Sequence, residues 1–177
     1  MPHSSCSAPG GKATFMAELM QNSGHIISVD RYEKKLLRME AHTAALGITI
    51  IKTIAADARS FVPDLRPDAL LLDAPCSGTG VLGRRAELRW KLSPGRLLEL
   101  QILQAELLDH AAALLDKDGV LVYATCSLEP EENSLQIETF LQRHREFIAD
   151  PEGAILTLPG ERPGFDGGFC QRLHKIA

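Results

Sequence analysis

Little in this 177-residue chain marks it for a membrane, a secretory route or a polyanionic surface. Aromatic residues make up 5% of it and tryptophan occurs once, too few for an unaided stacking platform along single-stranded nucleic acid. Basic residues are not in excess: the formal net charge is -4, so any contact with RNA or DNA must be local. No apolar run approaches a membrane span, and the start "MPHSSCSAPGG" lacks the basic-then-apolar order of a signal peptide, so the cytoplasm is the expected location. Cys6, Cys76, Cys126 and Cys170 include no CxxC pair, and the histidines stand at no ligand spacing. That argues against a disulfide frame and leaves no metal site expected.

What is present is ordinary globular material, 45% hydrophobic and 24% charged, with no internal repeat and no linker to split it. Residues 1–177 therefore read as a single domain. "KATFMAELMQN" (12–22) places Phe15, Met16, Leu19 and Met20 on one helical stripe, and "HIISVD" is a short strand ending on Asp30. "RYEKKLLRMEAHTAAL" reads as a helix with Leu36, Leu37, Met39 and Leu46 on its apolar side, stopped by Gly47. "ITIIKTIAAD" ends on Asp57, "DALLLD" on Asp73 and "GVLVYATC" on Cys126. Between the last two, Ser93 to about Leu115 is a long amphipathic helix opened by Ser-Pro. "EPEENSLQIETFLQRH" predicts another, with Pro130 and a run of acids at the positive end of its dipole. Two tail strands, "AILTLP" and "GGFCQRLHKI", flank the turn-rich "GERPGFDGG". Strands alternating with helices predict an α/β fold with a mostly parallel sheet covered on both faces.

Asp30, Asp57, Asp73 and Cys126 each end a predicted strand, and in open α/β sheets the ligand crevice lies outside those ends. One such aspartate is ordinarily a turn former or a helix cap; several on one edge point to a small-molecule site. The loop "APGGK" is not a phosphate-binding loop, because Cys6 and Ala13 stand where that motif needs Gly and Ser or Thr. Gly10 and Gly11 still permit close approach of a ligand at a helix start. Asp30 follows Gly10 by twenty positions, a spacing suited to an acid that takes ribose hydroxyls. The expected ligand is a nucleoside without a phosphate chain. S-adenosylmethionine fits, with Asp57 lining the adenine pocket or accepting from its amino group.

Two cysteines compete as nucleophile. Cys126 sits at a rigid strand terminus beside the next helix start, whose donors would lower a thiol pKa, whereas Cys76 lies in the more flexible "PCSGTG" loop. The ordinary reading of either is a small buried hydrophobe, which is the reading kept for Cys170.

Taken in order, "CSAPGGK", "DAPCSGTG" and "YATCSLEPEENSLQI" resemble the RNA cytosine-5 methyltransferases of the RsmB, Sun and Nop type, and "GFDGGFCQRLHK" is similar to their closing segment. The resemblance implies a Rossmann-like S-adenosylmethionine-dependent methyltransferase fold with a C-terminal antiparallel strand, acting on RNA, most like the bacterial ribosomal RNA enzymes. It implies attack by Cys126, product release assisted by Cys76, contact of Asp73 with the cytosine edge, and ordering of the site by Lys12. Cys6, Ser7, Ala8, Pro9, Gly10, Gly11 and Lys12 would form the cofactor loop, joined by Asp30, Asp57 and Asp73 at the strand ends. The basic stretch "GRRAELRWKLSPGR" offers Arg84, Arg85, Arg89 and Lys91, next to Trp90, for phosphates and a stacking contact. A solvated helix face is its ordinary alternative.

The start departs from the family pattern. An apolar strand ending Leu-Asp-x-Cys is replaced by "MPHSSC", with Ser4 where the acid would stand, so the first strand is expected to be degenerate or missing. The family's amino-terminal RNA-binding regions are expected to be absent. Two classes of function follow: an active methyltransferase core, or a binding-only remnant that holds S-adenosylmethionine or RNA without turnover.

Overall fold

The computed structural model describes residues 2–5, 10–161 and 164–177, the first four by their backbone alone. Seven strands form one sheet in the order β3-β2-β1-β4-β5-β7-β6. They are β1 Pro2–Ser5, β2 Ile26–Asp30, β3 Ile51–Ala55, β4 Ala69–Asp73, β5 Val120–Thr125, β6 Phe147–Thr157 and β7 Gly168–Lys175. β1 to β5 pair in parallel, while β7 runs antiparallel between β5 and β6, as the α/β reading predicts.

Of the two alternatives for the first strand, degenerate or missing, the second is corrected: the strand is present, four residues long. β1 occupies the centre of the sheet, paired with both β2 and β4, so neither neighbour is left with an open edge. A stretch so poor in apolar side chains can do this because the ladder needs only backbone donors and acceptors. Its proline obeys the same logic. Pro2 is the first residue of the strand and is in register only with Ala69 of β4, the position where a missing N–H is tolerated.

Four helices connect and cover the strands: α1 Gly11–Leu19, α2 Glu33–Ala45, α3 Pro94–Leu114 and α4 Ser134–Arg143. In β2 the consecutive residues Ser28, Val29 and Asp30 are all buried, so the sheet is covered on both faces there. α3 begins as the sequence predicts: the Ser93 hydroxyl accepts from the Arg96 N–H, and Pro94 occupies the first turn. From its buried side, Leu107, Leu108, Ala111 and Ala112 join a core shared with Leu70, Leu72, Leu121, Tyr123, Phe140 and Leu173.

α1 differs from its predicted form in two ways. Gln21 and Asn22 both take φ 53, so the helix stops at Leu19 and the chain turns back. Its buried face is Ala13, Thr14 and Ala17, whereas Phe15 and Leu19 of the predicted stripe are exposed. The small side chains bring the backbone close to the sheet; the bulky ones are displaced outward. In α2 the same division places Leu36 and Met39 inside and Leu37 outside, and Leu46, just past the helix, is also exposed.

Candidate active site

The parallel strands deliver their carboxyl ends to one edge. β2 ends on Asp30, β4 on Asp73, and Asp57 and Cys126 follow the last residues of β3 and β5. Cys6, Ser7, Ala8 and Pro9 lie outside the described residues. Gly10 precedes α1 at φ 106, where a Cβ would meet the Met39 Cγ at 2.7 Å, so this turn requires glycine and leaves bare backbone at the helix start. Gly11 has open space at its Cα.

Asp30 is buried, and its Oδ1 accepts from the Tyr32 N–H at 2.8 Å while Lys35 Nζ stands 3.6 Å from Oδ2. Asp57 is committed to Arg59, whose guanidinium reaches both carboxylate oxygens and also Glu106. These bonds, with the Arg59 N–H, hold the Asp57 carboxyl at a pKa of about 2. The same residues border an open cavity of about 540 Å³ with Ser60 and Asp109, a polar space that none of Lys12, Cys76 or Cys126 lines.

The two competing cysteines are together. Cys76 Sγ lies 3.3 Å from Cys126 Sγ, and the Cys126 N–H donates to the Cys76 sulfur, also at 3.3 Å. Cys126 is exposed and Cys76 half-buried. The hydrogen bond from Cys76 is the main cause that lowers the Cys126 thiol to about 7, aided by Lys12 and opposed by burial and by Asp73. The same bond, with burial, pushes the Cys76 thiol far up. Both directions favour the thiolate on Cys126 and the proton on Cys76. The expected helix-end donors are not the cause: α4 begins only at Ser134, and the neighbouring thiol does the work instead. Beside the pair, Lys12 Nζ donates to Asp73 Oδ2 at 2.6 Å. Cys170, on β7, has its thiol pushed up by burial.

The sequence reading missed what builds this arrangement. Glu132, read only within a run of acids at the positive end of a helix dipole, is fully buried. Its carboxylate accepts from the Ser77 N–H at 2.9 and 3.1 Å, from the Ser77 hydroxyl, and from Gln104 Nε2 at 2.9 Å. The Tyr123 hydroxyl donates to its carbonyl at 2.7 Å. Thr125 donates to Asn133, whose amide donates to the Ser127 carbonyl. The Pro-Cys loop is therefore tied down where flexibility was expected. A third segment closes the ring: Gly80 N–H donates to the Cys126 carbonyl at 3.0 Å and Gly167 N–H to the Gly80 carbonyl at 2.8 Å. Gly-Thr-Gly and Asp-Gly-Gly were the available signals, because only glycines allow backbones so near.

Of the basic stretch, Arg84 is engaged with Asp166 at 3.2 Å and donates to the Gly164 carbonyl at 2.6 Å; Arg85 pairs with Glu87. Arg84 thus braces the loop before β7, a use that the charge pattern did not indicate. Arg89, Lys91 and Trp90 are exposed on a short 3₁₀ turn, Ala86–Lys91.

A central parallel sheet closed by an antiparallel strand, with its site at the strand ends, defines a Rossmann-like S-adenosylmethionine-dependent methyltransferase domain. Solved structures agree: that of PH0851 superposes with TM-score 0.90 at 38% identity, covering 98% of this chain and 42% of that one. NSun6 from Pyrococcus horikoshii with SFG, an S-adenosylmethionine analogue, gives 0.89 at 28%, covering 100% and 48%. The chain belongs to the 16S rRNA methyltransferase RsmB/F family, which matches residues 4–155. It is 42% identical to the probable ribosomal RNA small subunit methyltransferase B of Synechocystis, covering 96% of this chain and 42% of that protein. The Yersinia enterocolitica ribosomal RNA small subunit methyltransferase B is 41% identical, again covering 96% and 41%. The chain spans under half the length of these relatives.

Proposed function

We propose that this domain transfers a methyl group from S-adenosylmethionine to carbon 5 of a cytosine in RNA, with ribosomal RNA as the substrate class and Cys126 as the nucleophile. The observation that carries the reading is the contact between Cys76 and the exposed Cys126, which lowers the Cys126 thiol. Family membership and the names of the relatives support the substrate class.

The residues that would hold the cofactor fit it: bare glycine backbone before α1, the buried Asp30 carboxylate for ribose hydroxyls, and Asp57 with Arg59 towards the base. Bound there, it supplies an electrophilic methyl on a sulfonium. Carbon 5 of cytosine is too weak a nucleophile to take that methyl unaided. The Cys126 thiolate adds at carbon 6, which makes carbon 5 enamine-like. Asp73, oriented by Lys12, faces the ring edge and steadies the charge that develops there. Once carbon 5 carries the methyl, its proton passes to solvent water as the Cys126–carbon 6 bond breaks and its electron pair returns to the Cys126 sulfur. The Cys76 thiol, already hydrogen-bonded to that sulfur, stabilises the departing thiolate. Arg89, Lys91 and Trp90 are the surface groups assigned to RNA phosphates and a base.

Incubating the protein with labelled S-adenosylmethionine and small-subunit ribosomal RNA lacking modifications tests the reading. Label should appear as 5-methylcytosine. Cofactor binding by a folded sample with no incorporation would instead favour a binding-only remnant.

A further inference from the structure

Both neighbours of Cys76 are pinned by two buried, mutually bonded side chains, Gln104 and Glu132. The Pro75 carbonyl accepts from Gln104 Nε2 at 2.9 Å; Ser77 donates from its N–H and its hydroxyl to Glu132. Gln104 Nε2 also donates to Glu132, and both Gln104 and Glu132 are fully buried. Every side-chain contact of this carboxylate is a donor pointing at it. Glu132 in turn belongs to the segment that begins at Cys126, and the short turn Pro130–Glu132 and the Asn133 bonds to Thr125 and Ser127 hold that segment rigid. The network is maintained at a cost: Gln104 Oε1 is buried without a partner, because the amide nitrogen is committed to Pro75 and Glu132. A purely space-filling side chain here would avoid that cost.

We infer that Glu132 is a positioning residue for the two-cysteine site: it fixes the Pro-Cys loop against the loop after β5 and so holds the Cys76 thiol in hydrogen-bonding contact with Cys126. The inference deepens the proposed function and rests on its assignment of the two cysteines. Its test needs neither RNA nor cofactor. Loss of methyl transfer would therefore not be confused with loss of positioning.

The test is the pH dependence of iodoacetamide alkylation at Cys126, followed by mass spectrometry of the peptide that carries it. Glu132→Gln keeps the shape but turns one acceptor into a donor facing Ser77 or Gln104. With Cys76 no longer held, the alkylation profile should move to higher pH and the rate at pH 7 should fall by roughly three- to tenfold. In a Cys76→Ala background the same substitution should move nothing further, since Glu132 acts through Cys76. Ser77→Ala, which removes one bond and leaves the carboxylate, should shift the profile in the same direction by less, and serves if Glu132→Gln does not fold. An unchanged profile in either folded variant, or an equal shift without Cys76, would overturn the inference.

Discussion

Cys76 Sγ stands 3.3 Å from Cys126 Sγ across two loops that are fifty positions apart in sequence. The bond between them acts in opposite senses: with burial it raises the Cys76 thiol, and it lowers the Cys126 thiol to about 7. The residue that assists release thereby also prepares the attack.

It follows that Cys76→Ala should raise the Cys126 thiol from about 7 towards its ordinary value of 9.0. A thiolate exists above its pKa, so the pH profile of Cys126 alkylation should move to the alkaline side. Stopped-flow or timed alkylation across pH 6 to 10 measures this directly.

Lys12 and Asp73 act on that thiol in opposite senses, Lys12 lowering its pKa and Asp73 raising it. Lys12→Met should shift the alkylation profile up, and Asp73→Asn should shift it down. Both should slow methyl transfer, Asp73→Asn by about 10²-fold or more if the carboxylate stabilises charge on the ring. An Asp73 variant with a more reactive thiol and a slower turnover separates contact with cytosine from tuning of Cys126.

Gly80→Ala should damage the site through the backbone. A Cβ there would stand 2.3 Å from the Gly167 carbonyl oxygen and 3.0 Å from that of Cys126, so three chain segments would be forced apart. The expected cost is about 1–3 kcal/mol. For a domain of this size that corresponds to a drop in Tm of roughly 2–4 °C per kcal/mol, measurable by calorimetry.

Asp57 sets an acid limit. Its carboxyl is depressed from 3.8 to about 2, so the Arg59 pair contributes its full stability above about pH 4 and loses it as pH falls towards 2. The pair is partly solvent-exposed, which screens it, and the contribution should be on the order of 1 kcal/mol. Arg59→Ala should therefore reduce stability at pH 7 and leave it little changed at pH 2, in urea titrations at both values.

The sheet's strand ends were legible because apolar runs ending on Asp30, Asp73 and the Thr-Cys pair leave a period that sequence displays. α3 was legible through Ser93 and Pro94. β1 was not, since a four-residue central strand held by backbone pairing leaves no hydrophobic trace. The face of α1 misled because Ala13 and Ala17 pack where Phe15 and Leu19 promised more burial. In the site, the residue types that carry reactive groups stood out. The supporting shell did not: Glu132 among neighbouring acids looks like a surface charge until Ser77 and Gln104 are brought to it from distant segments.

The central claim is that Cys126 attacks cytosine and Cys76 releases it. It is tested most directly by a denaturing gel of Cys76→Ala, Cys126→Ala and the double variant after incubation with S-adenosylmethionine and unmodified small-subunit ribosomal RNA at pH 8.5. The account predicts a covalent protein–RNA band with Cys76→Ala alone, and none once Cys126 is also replaced. A band formed by Cys126→Ala would contradict it and reverse the roles of the two sulfurs.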